Sequence, residues 1–142
     1  IPDESIQTAL LMATMSGVEV NLMFPCKPDH PFVYWATLSY VGELIMAGAN
    51  CYTYDNGFLH AKGLSIDGKA CCYGTANMDI RSFELNFEVN AMIFDQNIAG
   101  EMERIFREDL KCCTRITKEM YKSRSVWIRF KEQISRLLSP VL

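Results

Sequence analysis

The Asp67-Gly68 pair, set between two β-prone runs, restricts this chain more than any other feature. The pair suits a tight two-residue hairpin turn, with residues 60–66 and 69–74 as its arms. On an extended arm His60 and Lys62 lie two apart and face the same side. Thr75 and Asn77 follow the end of the paired arm, so the turn predicts that all four side chains meet.

The rest of the chain supplies helices and further strands. Asp3 or Ser5 can cap a helix through Ile6, Leu10 and Ala13 that stops at Gly17. Val18, Val20, Leu22 and Phe24 alternate with Glu19, Asn21 and Met23, predicting a strand. Pro25, Pro28 and Pro31 break the backbone into a loop. Helical patterning over 32–47 ends at Gly48, and a strand is expected at 50–54 before the Asp55-Asn56-Gly57 turn. A loop or short helix over 78–86 precedes a strand at 87–94 and an amphipathic helix at 97–111. A last helix over 125–138 sets Val126, Trp127, Phe130, Ile134 and Leu137 on one side, to pack on the core or to face lipid headgroups. The expectation is a mixed role, the stripe mostly buried on the core while Arg129, Lys131 and Arg136 reach anionic lipid. Early alternation of helix and strand with a late hairpin predicts an α/β fold, a mixed sheet flanked by helices.

At 142 residues, 49% of them hydrophobic, the chain suits one folded domain over residues 1–142 and is too apolar for disorder. The longest run free of formal charge, residues 5–18, falls short of the roughly 18 apolar residues a membrane span needs. Ile1 stands where an initiator Met would, and no basic stretch precedes an apolar run. The expectation is a piece of a longer polypeptide, without a signal peptide.

Net charge is −3, which argues against a general nucleic-acid binder, but the charge is uneven. Residues 1–114 carry −8 and residues 115–142 carry +5. A basic tail on an acidic body suits an anionic partner such as a membrane surface, or a solvated helix face. The six cysteines, four of them in adjacent pairs, read as reduced thiols. Cys26 and His30 have half the spacing of a zinc site and no second half, so no metal is expected.

His60, Lys62, Thr75 and Asn77 form the densest reactive cluster. An ammonium beside an imidazole suits phosphate: the cation neutralises the oxygens, and a neutral ring nitrogen can attack phosphorus. Thr75 and Asn77 can donate hydrogen bonds to the same oxygens. The bland alternative is a satisfied histidine beside an extended lysine.

The full pattern, His60-x-Lys62, four residues, Asp67, six residues, Gly74-Thr75-x-Asn77, resembles the signature of the phospholipase D superfamily. Its one departure is Thr75 where that family usually has Ser. Residues 1–5, 27–36, 74–82 and 134–140 resemble the carboxy-terminal half of bacterial cardiolipin synthases. The resemblance implies phosphatidyl transfer between two phosphatidylglycerols, giving cardiolipin and glycerol through a phosphohistidine, with no cofactor and no metal. It implies a second motif elsewhere in the polypeptide, whose histidine pairs with His60. Which of the two attacks phosphorus and which protonates the leaving glycerol stays open. It implies that Lys62 and Asn77 hold phosphate with Thr75 in support, that Asp67 is more structural than catalytic, and that Glu88 orients the histidine. Glu4, His30 and the Tyr34-Trp35 pair are candidate walls of the glycerol and lipid site. Asp79 and Arg81 are candidates to pair with each other or to rim the site. The implied setting is the cytoplasmic side of a bacterial cell membrane. The rival expectations are a single-motif phosphodiesterase or nuclease active as a homodimer, and a non-catalytic membrane-binding domain.

Overall fold

A computed structural model describes residues 2–26 and 31–138. The chain opens with α1 (Glu4–Met15), capped by the Asp3 carboxylate, which accepts from the backbone N–H groups of Ser5 and Ile6. Next come β1 (Asn21–Pro25), α2 (Pro31–Ala47) and β2 (Asn50–Tyr54). β1 and β2 pair in parallel from Asn21 opposite Asn50, with α2 as the crossover that parallel pairing requires. β6 (Cys113–Ile116) joins β2 from its other side, antiparallel.

The hairpin forms the second sheet. β3 (Gly63–Ile66) and β4 (Ala70–Gly74) pair antiparallel, and β5 (Asn90–Ile93) continues the sheet beside β4. Asp67 and Gly68 have φ of 52° and 60°, the left-handed pair that a type I′ turn demands. Between β4 and β5 lies α3 (Ile80–Glu84), and α4 (Gln96–Asp109) covers one face of this sheet. A single 3₁₀ turn, Leu110–Cys112, leads into β6. Two helices follow, α5 (Lys118–Lys122), capped by Thr117, and α6 (Val126–Leu138). The expected mixed α/β fold is present, with its strands divided between two three-stranded sheets.

Two strands are shorter than their alternation suggests. Val18–Val20 stays outside β1, although the Val20 carbonyl accepts from the Asn50 N–H at 2.9 Å. Phe87–Val89 stays outside β5, because the Thr75 hydroxyl takes a ladder position and accepts from the Val89 N–H at 3.0 Å.

The core gathers Val41, Leu44, Ile45, Ala49 and Cys51, with Leu10, Leu11, Val20, Leu22, Phe24, Ile116 and Tyr121 packed around them. Burial pushes the Cys51 thiol up to about 12 against the opposing Arg115 charge, so it is an inert apolar group. All six cysteines are free, Cys51 and Cys71 buried and Cys112 exposed. Gly42 has no room for a side chain, since a Cβ would sit 1.8 Å from the Tyr121 ring.

The expectation that the α6 stripe packs on the core is overturned. Val126, Trp127, Phe130 and Leu137 are exposed, at 75% for Trp127 and 81% for Leu137, and Ile134 is 38% exposed. α6 docks on α2 by its polar side instead. Glu132 and Ser135 are each 1% exposed. The Glu132 carboxylate accepts from Arg124 at 2.8 Å, and that guanidinium stacks 3.1 Å above the Tyr121 ring. Arg136 pairs with Glu43 of α2 and lies over the Tyr40 ring. Ion pairs inside and hydrocarbon outside invert the usual arrangement of a surface helix.

Glu132→Ala is expected to destabilise the chain by about 3–5 kcal/mol, since it strands the Arg124 charge in a largely buried place. Replacing Glu132 and Arg124 together with apolar residues of similar volume should cost much less. Urea unfolding of both variants decides this. A single change within about 0.5 kcal/mol of wild type would mean the pair does not hold α6.

Candidate functional site

The hairpin places part of the predicted cluster as expected. Its arms pair in the register Gly63 opposite Tyr73, and the Gly74 N–H donates to the Lys62 carbonyl at 3.4 Å. Lys62 therefore lies beside the segment that carries Thr75 and Asn77. Both glycines are required by close approach. A Cβ on Gly63 would meet the Tyr73 ring at 2.1 Å, and one on Gly74 would meet Asn90 Oδ1 at 2.0 Å.

His60 and Lys62 lie just before β3 in irregular backbone, not on a strand. The strand begins only at Gly63, so same-side placement by alternation does not apply to them. Lys62 Nζ donates to the His60 carbonyl at 2.8 Å. The His60 ring is exposed and stacks on Phe58, with centroids 5.6 Å apart.

Thr75 and Glu88 form the opposite wall. The Thr75 N–H donates to the Val89 carbonyl at 3.0 Å, which sets Glu88 next to that crossing. Glu88 Oε1 accepts from the Ser82 hydroxyl at 3.1 Å and from Asn86 Nδ2 at 3.3 Å. The nearby Thr75 hydroxyl is the largest influence on this carboxyl and, helped by the Asn86 and Ser82 donors and the Lys62 charge, holds it below the usual carboxylate range against the opposing effect of burial. Its contribution to stability is present above the unfolded pKa and lost as pH falls through the depressed one. At neutral pH Glu88 is thus an anionic acceptor, which is what orienting an imidazole requires. Among the described residues no hydrogen bond joins Glu88 to His60.

Asp67 is not brought into this group. It sits at the turn, at the opposite end of β3 from His60 and Lys62, and neighbouring Gly68 lies against Glu103 and Gly100 of α4. The length of the β3 arm separates Asp67 from His60 and Lys62.

Glu4 is exposed in the first turn of α1. It lines a groove of about 360 Å³ with Gln7, Thr8, Tyr40, Glu43 and Arg136, and no residue of the motif shares that lining. His30 lies outside the described residues. Tyr34 and Trp35 are half-buried on α2 with their rings edge to face. Asp79 caps α3, accepting from the Ser82 N–H at 2.8 Å, and among the described residues it forms no ion pair with Arg81.

Two positioning residues were missed from sequence. Ser82, 5% exposed, accepts from the Asn77 N–H at 3.1 Å while donating to Glu88, so one hydroxyl ties the motif loop to the acid. Asn86 adds the second donor. The available signal was Asp79-x-x-Ser82, an N-cap followed three residues on by a small polar side chain. Ser82→Ala is expected to raise the Glu88 carboxyl pKa toward its ordinary value and to lower stability by about 1–2 kcal/mol. Carboxyl-carbon NMR titration reads the first effect directly. An unmoved Glu88 pKa would show that Ser82 only packs.

Among the described residues no group of three or more His, Cys, Asp or Glu side chains could hold a metal ion, and no helix is long and apolar enough to cross a membrane. What the arrangement offers chemically is the Lys62 ammonium on one side, the Thr75 hydroxyl and the anionic Glu88 acceptor on the other, and the exposed His60 imidazole two residues from Lys62.

The family described as "Cardiolipin synthase, PLD-like domain" matches residues 1–110. Over all 142 residues the chain is 56% identical to the cardiolipin synthase of Oceanobacillus iheyensis and 56% identical to the major cardiolipin synthase ClsA of Bacillus subtilis, covering 30% of each. Cardiolipin synthase 1 of Staphylococcus epidermidis is 56% identical with 29% of its length covered. The chain thus spans about three tenths of the length of these curated relatives. The crystal structure of Nuc from Salmonella typhimurium, a phospholipase D family member, superposes with a TM-score of 0.74 at 17% identity, over 82% of this chain and 76% of that one, which shows a shared fold. On a family match over residues 1–110, the chain belongs to the phospholipase D-like domain family of cardiolipin synthases.

Proposed function

We propose that this chain is the second-motif domain of a longer phosphatidyltransferase that converts two phosphatidylglycerols into cardiolipin and glycerol. The observation that carries it is the meeting of Lys62, Gly74-Thr75 and Glu88 at one end of the hairpin, with His60 two residues from Lys62.

In the proposed sequence one motif histidine attacks phosphorus, forming a nitrogen–phosphorus bond as the glycerol oxygen leaves. The other histidine gives that oxygen its proton, then takes one from the hydroxyl of the second phosphatidylglycerol. That oxygen attacks phosphorus, the nitrogen–phosphorus bond breaks, and both rings return to their starting states. Lys62 Nζ, Asn77 and Thr75 hold the phosphate oxygens as charge accumulates. Glu88 fixes the tautomer of His60 and stabilises the charged ring. Asp67 holds the turn. Glu4 and His30 stand as candidates for the glycerol and lipid walls, and Glu4 needs the rest of the polypeptide to close its groove toward the motif. No cofactor or metal takes part in this scheme. The full-length enzyme works on the cytoplasmic side of a bacterial membrane, with anionic lipid as its surface and the first-motif half as its partner.

The test is a paired assay. Full-length parent enzyme should convert phosphatidylglycerol to cardiolipin with release of glycerol, unaffected by chelator, while the monomeric 142-residue chain should show no turnover. Near-parental synthesis by the verified monomer would refute the need for a second motif. Cleavage of DNA by a homodimer of the chain, without lipid activity, would favour the phosphodiesterase reading instead.

A further inference from the structure

The inverted docking of α6 leaves a hydrocarbon face aimed away from the protein. At roughly 100° per residue, Val126, Trp127, Phe130, Ile134 and Leu137 fall in one arc of α6 about 100° wide. Buried Glu132 and Ser135 fall on the opposite side. Trp127 and Phe130 already touch edge to face, with centroids 6.4 Å apart, so the aromatic pair is preorganised.

The charges around that arc select the kind of surface it fits. Arg129 borders the arc on one side and Lys131 on the other, both exposed, with Arg129 donating to the Lys122 carbonyl and the Lys131 ammonium 5.5 Å from the Trp35 ring centroid. The single acid of α6, Glu132, points inward against Arg124. On the preceding α5, Lys118 and Lys122 are exposed as well, with the exposed Glu119 between them. The outward side of α6 therefore carries apolar and cationic groups and no anion, within a segment of net +5. A protein groove with a mixed polar rim would leave those cations without consistent partners. A sheet of anionic headgroups over hydrocarbon matches both components at once.

We propose that α6 is an in-plane docking helix for an anionic lipid surface, with Trp127, Phe130, Ile134 and Leu137 entering the boundary between headgroups and acyl chains. The helix is 13 residues long, roughly 20 Å at 1.5 Å per residue, so it lies along the surface rather than across it. Its role is to hold the domain at the interface where a phosphatidylglycerol headgroup is available. The proposal rests on the transferase reading only in taking anionic lipid as the local surface.

The experiment uses the 142-residue chain carrying Trp35→Phe, so that Trp127 is its only tryptophan. Vesicles of phosphatidylcholine are compared with vesicles of equal parts phosphatidylcholine and phosphatidylglycerol. On the anionic vesicles Trp127 emission should shift to the blue and be quenched by lipids brominated on the acyl chain. Partitioning should be at least about tenfold stronger than on phosphatidylcholine and should weaken with salt. In the chain that keeps Trp35, Trp127→Ser with Phe130→Ser should cut partitioning by about tenfold or more without changing the melting temperature, because both side chains are already exposed.

Unquenched Trp127 with the chain folded overturns the proposal. Equal binding to both vesicle types overturns it, and so does shielding of Trp127 by self-association without lipid. If Trp127 stays in water while the full-length enzyme makes cardiolipin, the docking helix falls and the transferase reading stands. Quenching in a chain whose full-length parent makes no cardiolipin keeps the helix and rejects that reading.

Discussion

Full-length enzyme carrying His60→Ala is expected to lose phosphatidyl transfer by on the order of 10⁴-fold or more, the scale on which a covalent or proton-transfer group acts. Ala can neither attack phosphorus nor pass a proton. The fold should not suffer, because His60 is exposed, sits outside any strand, and among the described residues makes one ring contact, with Phe58. An unchanged melting temperature therefore accompanies the lost activity. The same variant separates the two roles open to this histidine. If His60 is the acid that protonates glycerol, His60→Ala should recover much of its rate on a phosphatidyl ester whose leaving group needs no proton. If His60 is the nucleophile, that ester should be as inert as phosphatidylglycerol. A variant within about tenfold of wild type on phosphatidylglycerol would remove His60 from the mechanism altogether.

What the sequence made legible follows from how local each signal is. Asp67-Gly68 specifies its turn through the φ of two residues, and the structure has both in the left-handed region. β2 needs only five alternating residues, and its bounds come out as read. β6 was not anticipated because its four residues lie between two helices and gain strand character only from pairing with β2. α5 is one short turn of helix that depends on Thr117 accepting from the Met120 N–H. β6 rests on β2, and α5 rests on α2 through the Tyr121 ring against Gly42, partners distant in sequence that a local pattern does not contain.

The stripe on α6 failed for a different reason. Its periodicity correctly identified the helix, but periodicity fixes only which residues share a face, not which face meets the protein. The deciding contacts are Glu132 with Arg124 and Arg136 with Glu43. The second links α6 to α2 across more than ninety residues of chain. The candidate site shows the same division. Gly74-Thr75-x-Asn77 was readable as a unit, whereas Ser82 acquires its place only when α3 turns its hydroxyl between Asn77 and Glu88.

Lys62 is the residue whose charge the proposed chemistry leans on most. In the free chain its ammonium donates to the His60 carbonyl at 2.8 Å, which uses one of three protons and leaves the others for phosphate. Its charge is also among the causes that keep Glu88 ionised. Lys62→Ala in the full-length enzyme should lower kcat/KM by about 10²–10³, the usual cost of removing one preorganised group that meets developing charge. It should also raise the Glu88 pKa, since a nearby cation is gone, so activity should fall off at a higher pH on the acid side. Lys62→Arg keeps the charge but presents a planar fork in place of a compact ammonium, so it should restore the Glu88 titration more fully than the rate. The contrast between those two readouts is the test. Equal recovery of rate and titration would mean Lys62 acts through Glu88 alone, and a Lys62→Ala rate within about threefold of wild type would place the phosphate elsewhere.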